Sequence, residues 1–192
     1  LAICACWLGS GMAVLRAGRF GRHWRWLGVP YVGLPVLALG VLRADVSFGL
    51  VAVIWLFAAV WTADVGAYFA GRLIGGPKLA PHISPNKTWA GLGGAVAGAG
   101  LAGTAVACLA ELPHLAMLAA LGAAVGVIEQ LGHLFESGAK RSFGVKDSGS
   151  LIPGHGGILD RVDGLVFAAV VVAAVGILRG GLANAAGGVL AW

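Results

Sequence analysis

Charged residues and glycines crowd into one segment of a chain that is otherwise poor in charge. Only 11% of the 192 residues are Asp, Glu, Lys or Arg, whereas an ordinary soluble domain carries about 25%. Metal-binding carboxylates, phosphate-binding cations and a glycine-rich backbone are the groups that phosphoryl or nucleotidyl transfer requires, because charge neutralisation provides most of that catalysis. The polar segment from Glu136 to Asp163 contains all three: Lys140, Arg141 and Lys146; Asp147, Asp160 and Asp163; and Gly154-His155-Gly156-Gly157.

Two of these carboxylates have the spacing of a metal site. If the last helix begins near Ile158, Asp160 and Asp163 share one face at i and i+3. Two like charges there repel each other unless a cation lies between them, and oxygen ligands favour Mg²⁺, Mn²⁺ or Ca²⁺ over zinc. The alternative is an acidic helix N-terminus screened by Arg161.

The helix before this segment also carries polar residues on one face. Glu129, His133 and Glu136 are spaced at i, i+4 and i+7, so we expect them to face the polar segment and not lipid. Glu136 is also expected to pair with Lys140, four residues further on.

An earlier polar segment runs from Asp64 to Trp89. Asp64 lies in or beside an apolar span, where a carboxylate is costly and usually functional; pairing with Arg72 is the alternative. Thr88 or Asn86 is expected to cap the next helix. Lys87 lies beside the positive end of that helix, which suggests an anion bound between them, or else a solvated lysine that sets topology.

Apolar runs must position these residues. With 59% hydrophobic residues, the chain is predicted to be an all-α, polytopic membrane protein with about six spans. The third span is expected to break near Gly66 or Gly71, and the glycine pairs Gly94/Gly98 and Gly122/Gly126 indicate close helix packing. The predicted spans are 1–15, 28–43, 48–74, 88–110, 113–135 and 158–179.

Basic residues predict the orientation. One side of the membrane would carry only Arg43 and Arg179, and the other side eleven basic residues, which places the crowded side and the polar loops in the cytoplasm. The net charge of +5 is then explained by membrane topology and by attraction to anionic lipid head groups. No nucleic-acid partner is expected. The eleven are Arg16, Arg19, Arg22, Arg25, Arg72, Lys78, Lys87, Lys140, Arg141, Lys146 and Arg161.

Two motifs carry a family resemblance. The main one is Ser137-x-x-Lys140-Arg141-x4-Lys146-Asp147-Ser148-Gly149-x3-Pro153-Gly154-His155-Gly156-Gly157-x2-Asp160-Arg161-x-Asp163. A shorter one in the earlier segment is Asp64-x-Gly66-Ala67-Tyr68 with Ser84-Pro85-x-Lys87-Thr88-Trp89. With these motifs the sequence resembles the phosphatidate cytidylyltransferases, or CDP-diacylglycerol synthases, from roughly Tyr31 to Gly176.

The resemblance implies one transmembrane catalytic domain over residues 1–192, without N-terminal helices that longer members have. It implies transfer of CMP from CTP to phosphatidic acid in an inner or plasma membrane, with Mg²⁺ and room for a second cation. Expected partners are CTP, phosphatidic acid and membrane lipids, with a homodimer as an option.

The resemblance also implies residue roles, which fall into three groups. The catalytic group is Lys140, Arg141, Lys146, Asp147, His155 and Asp160. The substrate-binding group is Asp64, Ser84, Asn86, Lys87, Ser137, Gly154, Gly156, Gly157 and Arg161. The metal-binding group is Asp160, Asp163, Asp147 and His133.

One departure from the family pattern affects the predicted metal site. His133 stands where the pattern has an acid, and imidazole is a poor ligand for Mg²⁺. The expected consequence is reduced activity, a changed metal preference, or Glu129 taking over as the metal ligand. Val65 and Ala90 also depart from the family pattern, but these changes are milder. The rival functions are a CTP-dependent enzyme acting on an isoprenoid lipid (a CDP-archaeol-type synthase or a lipid kinase) and a catalytically degenerate lipid-binding protein or transporter.

Overall fold

A computed structural model describes residues 21–142, Gly144 and 159–192, with the backbone alone at 21–29 and 159–161. This part of the chain is mostly helical, with one short hairpin. The helices are α1 (Gly21–Ala44), α2 (Gly49–Leu73), α3 (Trp89–Leu109), α4 (Leu115–Ser142), α5 (Leu159–Gly180) and α6 (Ala185–Leu190). The hairpin consists of β1 (Lys78–Ala80) and β2 (Ser84–Thr88).

Four helices are long and apolar enough to cross a membrane: α2, α3, α4 and residues 162–180 of α5. They match the last four predicted spans. The second predicted span falls within α1, whose apolar portion Pro30–Ala44 is shorter, and the first lies outside the described residues. Large apolar side chains such as Trp61, Leu101 and Leu178 are exposed on the bundle surface, as expected for helices that contact lipid.

Helix α2 continues through Gly66 without a break, so the predicted interruption is wrong. Gly66 serves packing instead: a Cβ added there would overlap the carbonyl of Gly94 on α3, and a Cβ on Gly94 would overlap the carbonyl of Gly66. One turn along α3, a Cβ added to Gly98 would lie 2.5 Å from the carbonyl oxygen of Thr62. The antiparallel helices α2 and α3 therefore touch backbone to backbone.

The second glycine pair brings α4 against α3. Cβ atoms added to Gly122 and Gly126 would lie 2.7 Å from the carbonyl oxygens of Ala99 and Ala95, respectively. Both predicted pairs are thus confirmed as close helix contacts.

The carboxyl end of α4 is longer than predicted. It runs to Ser142, so the first seven residues of the supposed polar loop are helical. The ammonium of Lys140 lies 3.1 Å from Glu136 Oε2, which confirms the expected i, i+4 pair. Cations in the last turn also complement the negative end of the helix dipole.

The hairpin between α2 and α3 was not predicted. Gly75 and Gly76 adopt positive φ angles of 67° and 96°, which allows the chain to turn. Thr88 then caps α3, since its Oγ1 accepts a hydrogen bond of 3.0 Å from the Gly91 amide. The cap confirms one of the two predicted candidates and places Lys87 immediately before the helix.

Asp45 joins the α1–α2 turn to the far end of the chain. Its Oδ1 accepts hydrogen bonds from the amides of Ser47 and Phe48, each 3.0 Å long. Its Oδ2 accepts one of 2.9 Å from the amide of Gly187 in the buried helix α6. Burial alone would raise the pKa of Asp45, but these amides hold it below its usual value. Sequence reasoning gave this residue no role.

Replacing Asp45 with Asn is expected to destabilise the protein by about 1–3 kcal/mol, because an amide group would face the Gly187 amide, donor against donor. Folding lowers the pKa of Asp45. The carboxylate therefore contributes to the free energy of unfolding at pH values above its unfolded-state pKa of about 3.9. That contribution is lost as the pH falls through the lower pKa of the folded state. Thermal unfolding in detergent should therefore show a gap between wild type and D45N at neutral pH that narrows in acid.

Glu111→Gln is the matched control, because it neutralises an exposed acid in the α3–α4 connection. Equal unfolding temperatures for D45N and E111Q at neutral pH would contradict the role assigned to Asp45.

Candidate active site

Three carboxylates from three helices meet around the imidazole of His133. Its Nδ1 lies 2.6 Å from Asp163 Oδ2 on α5, and its Nε2 lies 2.9 Å from Asp64 Oδ1 on α2. Nε2 also contacts Glu129 Oε1, one turn back on α4. The side chain of Glu129 is fully buried, and that of His133 is 18% exposed.

The close approach of α4 and α5 depends on two glycines. A Cβ on Gly164 would lie 2.7 Å from Glu129 Cγ, and one on Gly132 would lie 3.1 Å from the Asp163 carbonyl oxygen. The face of Glu129, His133 and Glu136 is turned away from lipid, as predicted, with both glutamates buried. Most of the polar segment that it was expected to face lies outside the described residues.

Asp64 lies within α2 and not in a loop. Its carboxylate contacts His133, whereas the Arg72 guanidinium donates a hydrogen bond of 3.0 Å to the Tyr68 hydroxyl. The simple pairing of Asp64 with Arg72 is therefore not what the structure shows.

A hydrogen-bond chain connects the hairpin to this carboxylate cluster. Lys87 Nζ donates to Gln130 Oε1 over 2.6 Å, and Gln130 Nε2 donates to Glu129 Oε2 over 2.8 Å. Burial lowers the pKa of Lys87, while the carboxylates of Glu129, Asp163 and Asp64 act in the opposite direction. Sequence reasoning assigned no role to Gln130, although an amide beside a glutamate in an apolar helix was a usable signal.

The structure thus brings four of the sequence-predicted site residues together: Asp64, Lys87, His133 and Asp163. On β2, Ser84 is half-buried and Asn86 is exposed; at the end of α4, Ser137 is half-buried and Arg141 is exposed. Asp160 and Arg161 lie in the first turn of α5, but their side chains are outside the described residues. Also outside are Lys146, Asp147, Gly154, His155, Gly156 and Gly157.

The donor set fits a metal ion. One ligand atom each from Asp64, Glu129 and His133 lies within 4.8 Å of the other two. Within the described part of the chain, Glu129 Oε1 is buried and accepts no well-directed hydrogen bond, although it touches the imidazole. A buried carboxylate oxygen without a hydrogen bond is costly, and a bound cation would remove that cost.

An open apolar groove lies between the hairpin and the end of α4. It has a volume of about 370 Å³. Its walls come from the hairpin and the end of α4: Ile83, Leu134, Phe135, Gly138, Ala139 and Ser142.

Comparison with known proteins agrees with the resemblance seen in the sequence. A phosphatidate cytidylyltransferase of Brucella suis is 48% identical over 86% of this chain and 62% of its own length. One from Staphylococcus epidermidis is 42% identical over 73% of the chain and 54% of its own length. One from Synechocystis is 47% identical over 65% of the chain and 42% of its own length.

The chain spans less than two thirds of the length of these curated relatives. The sequence profile described as "Cytidylyltransferase family" matches residues 2–178, which is nearly all of the chain. The protein therefore belongs to the cytidylyltransferase family.

Proposed function

We propose that this chain carries the catalytic centre of a phosphatidate cytidylyltransferase, which converts CTP and phosphatidic acid into CDP-diacylglycerol and pyrophosphate. The observation that supports this most is the junction of Lys87 with the carboxylates of Asp64, Glu129 and Asp163 at one end of an apolar helical bundle. Such a cluster supplies a positive charge for the phosphates of a nucleoside triphosphate and negative charges for the metal ion that accompanies it.

The reaction requires positioning and charge neutralisation more than proton transfer. A phosphate oxygen of the lipid attacks the α-phosphorus of CTP, a new P–O bond forms, and the bond to the β-phosphate breaks to release pyrophosphate. Because the attacking oxygen is already anionic, the protein needs no general base. A bound divalent ion would neutralise charge that develops on the phosphate oxygens.

The chain's own residues divide this work. The ammonium of Lys87 can exchange Gln130 Oε1 for a phosphate oxygen, since both atoms are hydrogen-bond acceptors. Lys140, Arg141, Lys146 and His155 would bind the remaining phosphate oxygens, together with the backbone amides of Gly154, Gly156 and Gly157. Asp160 would hold Mg²⁺, with Asp147 or Asp163 either binding the ion directly or positioning its ligands, and Ser84, Asn86, Ser137 and Arg161 would complete the substrate site.

The acceptor is a membrane lipid on this proposal. The apolar groove between Ile83 and the end of α4 could hold part of an acyl chain. The excess of basic residues on one side of the predicted topology supports a site on the cytoplasmic side of an inner or plasma membrane.

Labelled CTP tests the proposal and separates its rivals. The full-length protein that contains this chain is reconstituted with phosphatidic acid and Mg²⁺, and given CTP labelled at either the α- or the γ-phosphorus. We expect α-label in the lipid and γ-label in pyrophosphate. γ-Label in the lipid would indicate a kinase, and transfer only to an isoprenoid-chain lipid phosphate would indicate a CDP-archaeol-type synthase. No transfer by folded protein would overturn the catalytic proposal.

A further inference from the structure

We propose that Asp64, Glu129 and His133 bind a first-row transition-metal dication, such as Mn²⁺, in preference to Mg²⁺, and that Asp163 positions the imidazole for it. This site would be a second cation site beside the one assigned to Asp160. Its catalytic importance rests on the proposed function, but its existence and metal preference do not.

The first argument is the geometry of the three donor atoms. His133 Nε2 lies 2.9 Å from Asp64 Oδ1 and in contact with Glu129 Oε1. Adjacent ligands on a metal with bonds of about 2.1 Å are about 3 Å apart. An ion can therefore enter the cluster with small side-chain movements, without rearrangement of the helices.

The second argument is the partner of the other ring nitrogen. Nδ1 lies 2.6 Å from Asp163 Oδ2, and Asp163 Oδ1 in turn accepts a hydrogen bond of 2.9 Å from the Gly164 amide. Metal-binding histidines usually donate their second N–H to a carboxylate in this way, which fixes the tautomer and the ring orientation. The lone pair of Nε2 is then directed at the two remaining carboxylates.

The third argument is the environment of Glu129. Its Oε2 accepts a hydrogen bond from Gln130, but its buried Oε1 accepts no well-directed one within the described residues. Three acceptor atoms at Asp64, Glu129 and Nε2 repel one another unless a proton or a metal ion lies between them. A dication can bind all three acceptor atoms at once, whereas a single proton cannot bridge all three equally.

The ligand types determine the metal class. Mg²⁺ prefers oxygen ligands throughout. Mn²⁺ also suits carboxylates, but as a first-row transition metal it accepts a nitrogen ligand more readily than Mg²⁺ does, and affinity for such mixed sites rises from Mn²⁺ to Co²⁺. Two carboxylates and one imidazole therefore favour a transition metal.

Mn²⁺ binding to the full-length protein in detergent tests the proposal, with pulsed electron paramagnetic resonance as the structural readout. We expect Mn²⁺ to bind at least about tenfold more tightly than Mg²⁺, and its signal to show coupling to one ¹⁴N nucleus. His133→Asp should abolish that coupling and bring the two affinities together. Asp163→Asn should keep the coupling but weaken Mn²⁺ binding by about 10–100-fold.

His82→Ala and His114→Ala are the matched controls, since each removes an exposed imidazole distant from the cluster along the chain. Equal affinity for Mg²⁺ and Mn²⁺ in the wild type, or no ¹⁴N coupling, would overturn the proposal even if His133→Asp did not fold. Coupling that persists in folded H133D would also overturn it. Selective Mn²⁺ binding without cytidylyl transfer would leave this inference intact and count only against the proposed function.

Discussion

Lys87→Met is expected to lower kcat/KM for cytidylyl transfer by about 10²–10³-fold, the usual cost of losing one positioned group that stabilises transition-state charge. The ammonium is partly buried and held by Gln130, whose amide in turn contacts Glu129. Methionine preserves the length of the side chain and removes its charge. Initial rates of label transfer from CTP to lipid, at several CTP concentrations, would measure the loss.

Lys78→Met is the matched control, because it removes the same charge from an exposed position in the same hairpin. A loss of similar size in both variants would mean that hairpin charge in general, and not Lys87, matters.

The pH profile gives a second readout for Lys87. Burial lowers its pKa, so its charge is lost as pH rises through a value below that of an ordinary lysine, about 10.4. Wild-type activity should therefore fall on the alkaline side earlier than an unshifted lysine would cause. In Lys87→Arg, any remaining activity should persist to higher pH, because arginine stays charged.

Gly94→Ala is expected to destabilise the fold. The new methyl group would overlap the carbonyl of Gly66 and lie 2.5 Å from Ala70 Cβ, so α2 and α3 must separate. Overpacking of this kind costs about 1–3 kcal/mol. Activity should fall as well, because Asp64 on α2 and Lys87 before α3 would move apart. Thermal unfolding followed by size-exclusion chromatography in detergent would measure the change.

Gly93→Ala provides the control for that experiment. Gly93 is the preceding residue of the same helix, and a Cβ there meets nothing within 4 Å. If G93A and G94A unfolded at the same temperature, the close contact of α2 with α3 would not be important for stability.

The helices were predictable because apolar composition over twenty or more residues determines a membrane span. The hairpin was not, because strands of three and five residues that include Pro85 carry no alternating pattern. The extension of α4 to Ser142 was missed for a different reason. Lys140 and Arg141 were interpreted as loop cations, although the same residues stabilise a helix carboxyl end.

Site residues were predictable where an ionisable side chain occurs within an apolar stretch of the sequence. Asp64 and His133 were singled out because ionisable groups are costly there, and Asp163 because of its spacing from Asp160; the structure places the three together. The contact between Lys87 and Gln130 was not predictable, since it depends on the hairpin folding back over α4. Sequence spacing also placed Asp163 as a metal ligand, whereas its carboxylate contacts the ring nitrogen of His133 that faces away from the other two acids.

The bond from Gly187 to Asp45 bears on how the protein is made. Asp45 leaves the ribosome long before its partner, which lies 142 positions later. Its carboxylate must remain hydrated at the membrane surface until α6 has been synthesised and has packed against Gly176 and Gly180 of α5. Helix α6 thus covers this part of the bundle, and a nascent chain that stalls before Ala185 would present an open, glycine-lined face to quality-control proteases.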